Sequence, residues 1–547
     1  MRKGLNCYKM NETDRAYLID IFHRKKTIYA LGLLISFLAH TQTYGQITSQ
    51  KVDSLVKTAM TKFNVVGTAV AIVKDGKVIH IKGYGVKSNF TKEEIDENSL
   101  FAIASNSKAF TTTALAILVE EGKISWQDKV IEHIPEFKMY NDYVTQNFNI
   151  QDLVTHRSGL GLGAGDLMFM PDGSDFTIDD ILVNFQHFNP KSAYRTKFDY
   201  DNLLYLVAGE LIARKSGMTW EEFVIRNVLN PLMMDNTFPS LDYILDETNS
   251  AKPHTMISDT LRVLSNFKTT ASGAAGGIFS SVSDICKWMN LHLNKGKHGE
   301  KLDKSLFSEE SHNEMWRLHT IYQTNKSSRY NSHFAGYGLG WNLMDVKGNK
   351  LVYHTGSLPG VGSKIVMIPD INLGIAVFTN TEPGGSFLYE SIIQSIIDSY
   401  LRLDYYNWIG HYLRNYKNQA NRTDSETEKV WKTAKKNYGS SIELDKYTGI
   451  FKDKWFGNVE IFEKENLLWF KSHRSPKLNG PLYHYETKTY AIKWKYKDMN
   501  ADALISLYLD KCGKASRILI KGISSTIDFS FDFQDLDFWR LYDDSCE

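Results

Sequence analysis

Apolar and polar positions alternate along this chain in two different rhythms. From Val65 to Val86 two apolar strand-like runs meet at Asp75-Gly76, a dipeptide suited to the positive φ angles of a tight hairpin. Phe110 to Glu121 then carries helical spacing, stopped at Gly122, and this buried helix begins near Ser105. Between Gln151 and Asn294 short helical segments alternate with glycine- and proline-containing loops. Strand-like runs return at Tyr337–Met344, Lys350–Tyr353, Ser363–Ile368 and Gly374–Thr379. Strands near both ends of this region with helices inserted between them predict an α+β sandwich.

An apolar helix follows at Ser391–Tyr400, and the stretch from Asn415 to Asn437 is charged and poor in apolar residues, which reads as a partly helical linker. Beyond Leu444 the pattern turns all-β: Asn458–Ile461, Leu467–Lys471, Tyr490–Tyr496 and Ile527–Phe533 alternate or are rich in aromatics. The period-two stripe Phe529, Phe531, Phe533 reads as core. The expected division is therefore residues 1–46 as a leader, 47–405 as a mixed domain, 406–443 as a linker and 444–547 as a β-domain.

Composition adds mainly exclusions. The chain has 547 residues with 42% hydrophobic and 23% charged side chains, enough apolar material for more than one domain. Sixty-four basic side chains against 63 acidic ones leave a net charge of +1, so no global field points to nucleic acid. Arg24, Lys25 and Lys26 precede an apolar run from Thr27 to Ala39, short for a bilayer span, which predicts an export signal and a periplasmic or secreted protein; a retained anchor helix is the alternative. After signal removal no stable membrane span is expected. Cys7, Cys286, Cys512 and Cys546 show no metal-binding spacing, and neither a metal nor another cofactor is expected. A Cys512–Cys546 disulfide is compatible with the sequence without being indicated by it.

Ser105-Asn106-Ser107-Lys108 is an S-x-x-K tetrad, and on a helix these ends share a face, so the Lys108 amine can lie beside the Ser105 hydroxyl. A serine needs a base, and a lysine becomes one only when burial lowers its pKa. The spacing alone is cheap, since Ser54 and Lys57 repeat it. Tyr200-Asp201-Asn202 is a Y-x-N triplet ahead of a buried helix, with a tyrosine able to shuttle a proton and an amide able to meet a substrate carbonyl or Lys108. Tyr405-Tyr406-Asn407 repeats that pattern too. His354-Thr355-Gly356 ends a strand-like run and is followed by Ser357, whose backbone N–H could join that of Ser105 in an oxyanion hole.

In this order, S-x-x-K, Y-x-N and a K-T-G-like triplet resemble the serine β-lactamase-related superfamily. The phrases Gln151–Leu160, Ala275–Ser280 and Tyr337–Trp341 are similar to further family segments, so the likeness spans Val52 to Leu401. The nearest branch holds class C β-lactamases, D-alanyl-D-alanine carboxypeptidases, D-aminopeptidases and carboxylesterases. The resemblance implies an antiparallel sheet flanked by helices, a helical subdomain and a site in the cleft between them. It also implies Ser105 as the acylated nucleophile, Lys108 as general base, Tyr200 as proton shuttle and activator of the deacylating water, and Asn202, His354, Thr355, Gly356 and Ser357 as substrate-binding positions. The module from Leu444 resembles an appended lipocalin-like barrel that in some relatives covers the cleft or drives oligomerisation; a passive stabilising role is the alternative.

One departure alters the expected substrate. His354 stands where β-lactamases and penicillin-binding proteins usually carry lysine, and a mostly neutral imidazole anchors a carboxylate weakly. The expectation is a serine hydrolase acting on amide or ester bonds of small molecules or short peptides. Its rivals are a β-lactamase or cell-wall carboxypeptidase, and a catalytically silent penicillin-binding sensor module.

Overall fold

The computed structural model describes Asn11 and residues 46–257, 260–268, 271, 273–324, 329–437, 444–498 and 501–541. The apolar run Thr27–Ala39 lies outside these residues. Among the described residues no helix is long and apolar enough to cross a membrane.

The first domain is organised on an eight-stranded antiparallel sheet. In chain order its strands are β1 (Gly67–Lys74), β2 (Lys77–Gly85), β3 (Thr320–Tyr322), β4 (Ala335–Tyr337), β5 (Asn342–Val346), β6 (Asn349–Leu358), β7 (Val361–Ile368) and β8 (Leu373–Thr379). The spatial order is β3-β4-β5-β6-β7-β8-β1-β2, so the two ends of the domain meet at the β8–β1 pair. Asp75 and Gly76 both take positive φ at the β1–β2 turn, as the dipeptide requires.

The central strands are buried on both faces, so their side chains sort by parity. Val70 and Ile72 of β1 join Ile375 and Val377 of β8 on one face, under α1 (Ser49–Phe63) and a later helix, Gly384–Tyr400. Ala69, Ala71 and Val73 join Ala376 and Phe378 on the other, in one core with residues of α2 (Ser107–Glu120), α3 (Leu203–Ser216) and α4 (Val282–Leu293), of which α4 packs directly on β1 and β8. On this second side the Phe110 and Trp288 rings stack at 3.9 Å. Short helices between residues 130 and 234 pack around α3 as a helical subdomain whose core includes Leu153, Phe185, Leu211 and Trp220.

The run expected as one strand over Tyr337–Met344 is two strands. Gly338–Trp341 forms a turn closed by the Gly338 N–H donating to the Trp341 carbonyl, and it packs onto α2 beside Lys108 and Ala109.

Gly384–Tyr400 is α5, and the charged stretch read as a partly helical linker lies within one helix, α6 (Trp408–Lys436). Its apolar residues are few but sit at the ends. Trp408 is buried against the α5 layer and donates to Asp398 at 2.6 Å; Val430 and Ala434 are buried against the second domain. Asn407 caps α6 by accepting from the Gly410 N–H, so the Tyr405–Asn407 repeat of Y-x-N is a helix start remote in role from Tyr200. Ser54 and Lys57, the other decoy pair, lie exposed on α1.

The second domain is a closed eight-stranded antiparallel barrel: β9 (Gly449–Asp453), β10 (Gly457–Lys464), β11 (Leu467–Ser472), β12 (Asn479–Glu486), β13 (Thr489–Ile492), β14 (Ala503–Leu509), β15 (Ala515–Gly522) and β16 (Asp537–Arg540). Closure of β16 on β9 removes the free edges. The run Ile527–Phe533, expected as a strand, is instead part of the β15–β16 loop. Its amides are satisfied locally: the Ser530 N–H donates to the Asp528 carboxylate and the Phe531 N–H to the Asp528 carbonyl, leaving no ladder. Phe531 and Phe533 are buried, while Phe529 points away from the barrel interior toward the first domain.

The barrel docks on the helical subdomain through a continuous apolar contact, with Phe188 against Trp455 at 5.0 Å and Phe176 against Phe456 at 5.8 Å. Arg474 of the barrel adds ion pairs to Asp175 and Asp180 at 2.7 Å each. Cys286 is a free buried thiol and Cys512 is disulfide-bonded.

Candidate active site

Ser105 lies in a single tight turn, Ala104–Asn106, that leads directly into α2. Ala104 holds a left-handed φ of 48°, an uncommon state for alanine that lifts the following residue out of the strand direction. Ser105 is thereby left partly exposed while Lys108, one turn further on, is fully buried. The Lys108 Nζ donates to Ser105 Oγ at 3.0 Å, to Asn202 Oδ1 at 2.8 Å and to the Ala275 carbonyl at 2.7 Å. All three ammonium protons thus have acceptors, and the Ser105 interaction is the one that reverses when the amine is neutral.

Burial drives the Lys108 amine down to about 7, against an opposing pull from the Asp166 and Asp201 carboxylates. Its Nζ lies 5.0 Å from the Tyr200 ring centroid and 5.2 Å from that of Tyr205. Desolvation raises the Tyr200 phenol well above the ordinary value, against a smaller opposing influence of the nearby Ser105 hydroxyl. Tyr200 is therefore a protonated donor at neutral pH.

Tyr200 and Asn202 sit just before α3, in a segment anchored at several points. The Gly163 N–H donates to the Tyr200 carbonyl, the Asp201 N–H donates to His156 Nδ1, and the His156 ring packs 4.1 Å from the Tyr200 ring. Asn202 completes the arrangement: its Oδ1 accepts from Lys108 while its Nδ2 donates to Asp166 Oδ2 at 2.7 Å.

His354, Thr355, Gly356 and Ser357 lie within β6, which runs on to Leu358 and does not end where the pattern suggested. β5 pairs with β6 only as far as Tyr353, whereas β7 pairs along it to Leu358. The far edge of Thr355–Leu358 is left facing the cleft, where an extended substrate could lie. At Gly356 the strand closes on the nucleophile turn: a β-carbon there would overlap the Ile103 carbonyl oxygen.

His354 is almost fully buried and both its nitrogens are committed. Nδ1 donates to the Thr355 carbonyl at 2.7 Å, which makes Nε2 the acceptor of the Tyr337 hydroxyl at 2.9 Å. Desolvation, reinforced by the Lys108 charge, takes the imidazole down to about 3, so it is neutral.

A cavity of about 320 Å³ opens over these groups, lined by Ser105, Tyr200, Asn202, His354, Thr355 and Ser357 together with apolar walls from Phe169, Phe198, Leu206 and Phe267. The barrel contributes Asp528, Phe529 and Ser530 to the same lining. The Phe529 ring stands edge-on to Tyr200 at 5.8 Å. These barrel residues, Asp166 and His156 were not singled out as site residues in the sequence. One signal was available: Asp166 closes a run with glycine at every second position from Gly159 to Gly165, an unusual backbone for an ordinary loop. Among the described residues no group of His, Cys, Asp or Glu is arranged to hold a metal ion.

A serine paired with a buried, deprotonatable lysine in the cleft between an antiparallel sheet and a helical subdomain defines a serine hydrolase. The family model described as Beta-lactamase matches residues 52–393, and the chain belongs to that family. A second model, a domain of unknown function (DUF3471), matches residues 433–540, the region of the barrel. Among relatives, the chain is 25% identical over 386 residues to "Unguisins hydrolase ungD'" of Aspergillus campestris, covering 68% of this chain and 70% of that one. It is likewise 25% identical over 397 residues to "Protein flp" of Staphylococcus aureus, covering 68% and 71%. Its fold is similar to that of the octameric penicillin-binding protein homologue from Pyrococcus abyssi, with a TM-score of 0.57 at 20% identity over 90% of this chain and all of that one.

Proposed function

We propose that this protein hydrolyses amide or ester bonds of small, largely apolar acyl donors or short peptides through an acyl-enzyme on Ser105. The observation that carries the reading is the 3.0 Å contact between Ser105 Oγ and a lysine amine brought down to about 7. In its neutral form Lys108 accepts the Ser105 proton as the hydroxyl attacks the acyl carbon. Backbone N–H groups of Ser105 and Ser357 are the oxyanion donors in this reading. Tyr200 relays the proton that Lys108 took from Ser105 on to the leaving group, which leaves Lys108 neutral again, and water then attacks the ester as Lys108, through Tyr200, accepts its proton and returns it to Ser105.

The substrate class follows from what faces the cavity. His354 is neutral and its nitrogens are occupied, and Lys108 is committed to Ser105 and Asn202, so a substrate carboxylate meets no free cation from these groups. The aromatic and aliphatic walls favour an apolar acyl or leaving group. A panel of p-nitrophenyl esters, D- and L-amino-acid amides and nitrocefin tests this. Esters or amides should turn over far faster than nitrocefin, and Ser105→Ala should abolish the turnover. Efficient nitrocefin hydrolysis would favour the β-lactamase or carboxypeptidase reading. No Ser105-dependent reaction with any member of the panel would favour a silent binding module.

A further inference from the structure

We infer that Asp166, gripped from the barrel by Ser530, is a positioning residue that fixes the Asn202 amide and through it the Lys108 amine. This rests on the reading of Ser105 as nucleophile and Lys108 as its base. The geometry is a continuous chain across the two domains. Ser530 Oγ donates to Asp166 Oδ2 at 2.9 Å, Asn202 Nδ2 donates to that same oxygen at 2.7 Å, and Asn202 Oδ1 accepts from Lys108 at 2.8 Å.

An asparagine side chain is nearly symmetric in shape but not in hydrogen bonding. Rotated by half a turn, Asn202 would aim its NH₂ at an ammonium that can only donate. The Lys108 ammonium thus selects the orientation seen here, and Asp166 Oδ2, which accepts from Asn202 Nδ2 on the other side, holds it. The carboxylate is itself fully buried, with its Oδ1 unpartnered, so it occupies a place that a folding argument alone would fill with an apolar residue.

The barrel holds this carboxylate from two sides. Besides Ser530, the buried Asp532 accepts the Gly165 N–H at 2.7 Å and the Leu167 N–H at 3.1 Å, clamping the backbone on either side of Asp166. Gly163 lets the loop approach this closely, since a β-carbon there would overlap Phe529. The barrel thereby contributes to the catalytic geometry as well as to the wall of the cavity.

The test uses the full chain with p-nitrophenyl butyrate as substrate and a fluorophosphonate as Ser105 label. Asp166→Ala, which releases the amide, should lower kcat by roughly tenfold to a hundredfold with KM within about twofold of wild type. Asp166→Asn keeps an acceptor for Asn202 and should recover most of that loss. Ser530→Ala should lower kcat in the same direction by a smaller factor. The inference is overturned if Asp166→Ala keeps wild-type kcat, if its loss falls on KM alone, or if Asp166→Asn is as slow as Asp166→Ala. Should Asp166→Ala fail to fold, an unchanged kcat in Ser530→Ala overturns it. A wild-type protein that is not labelled at Ser105 would instead sink the underlying reading, which keeps the two failures apart.

Discussion

Lys108 Nζ stands 3.0 Å from Ser105 Oγ, and Ser105 lines a cavity to which a separate β-barrel contributes Asp528, Phe529 and Ser530. The contact is made by helical periodicity within one turn, but its chemistry is made by burial, which turns an ordinary surface cation into a base.

The pH dependence follows from that burial. Lys108 must be neutral to accept the serine proton, and its amine is brought down to about 7. kcat/KM should therefore rise about tenfold per pH unit below 7 and level off above it. His354, down at about 3, adds no limb in this range, and Tyr200, raised well above its ordinary value, adds none on the alkaline side near neutrality. A pH–rate profile from 5 to 9 with an ester substrate checks this; a flat profile would contradict it.

The same burial makes the site costly to fold. Holding the amine at about 7 in place of its ordinary 10.5 destabilises the folded state by about 5 kcal/mol at and below pH 7. Between these values the unfolded chain binds the extra proton, so the cost shrinks as pH rises toward 10.5. Lys108→Met should lose activity, and its stability relative to wild type should become less favourable as pH rises from 7 to 10. Urea unfolding of both proteins at several pH values measures that slope; a slope of the opposite sign would refute the burial argument.

Much of this arrangement was legible in the chain. The parity of β1 and β8, the Asp75-Gly76 turn and the stop at Gly122 follow from local sterics and patterning. The change to all-β beyond Leu444 was legible too, because a barrel needs one apolar face per strand. Two features were hidden for physical reasons. α6 looked like a linker because a helix bridging two domains buries only its ends, and Phe529 looked like core because period-two aromatics say nothing about which way a loop turns. For Asp166 the alternating glycines before it were the one local signal, since its hydrogen bond to Ser530 joins positions 364 apart in the chain.

Gly356 is a place where shape alone should decide the outcome. Its α-carbon faces the Ile103 carbonyl, which also accepts from Ser363 Oγ at 2.8 Å, so neither side can yield freely. Gly356→Ala should cost about 1–3 kcal/mol of stability and lower turnover by displacing β6 from Ser105. Urea unfolding with parallel ester kinetics would show both; wild-type values in both would mean the strand has slack.

The His354–Tyr337 pair should behave as structure with a neutral charge state. His354→Ala leaves the buried Tyr337 hydroxyl without its acceptor and should destabilise the protein by about 1–3 kcal/mol. Because the imidazole carries no charge near neutrality, the acidic limb of the pH profile should stay in place. A limb displaced by about one pH unit in this variant would show that His354 is charged in the working protein.

If Ser105 is the nucleophile, a fluorophosphonate must label it, and intact-protein and peptide mass spectrometry after such treatment locates the adduct. One adduct per chain is expected, located on Ser105, formed more slowly below pH 7 and absent from Ser105→Ala. An adduct of equal yield on Ser105→Ala, or one located on another residue of the wild-type chain, would contradict that assignment.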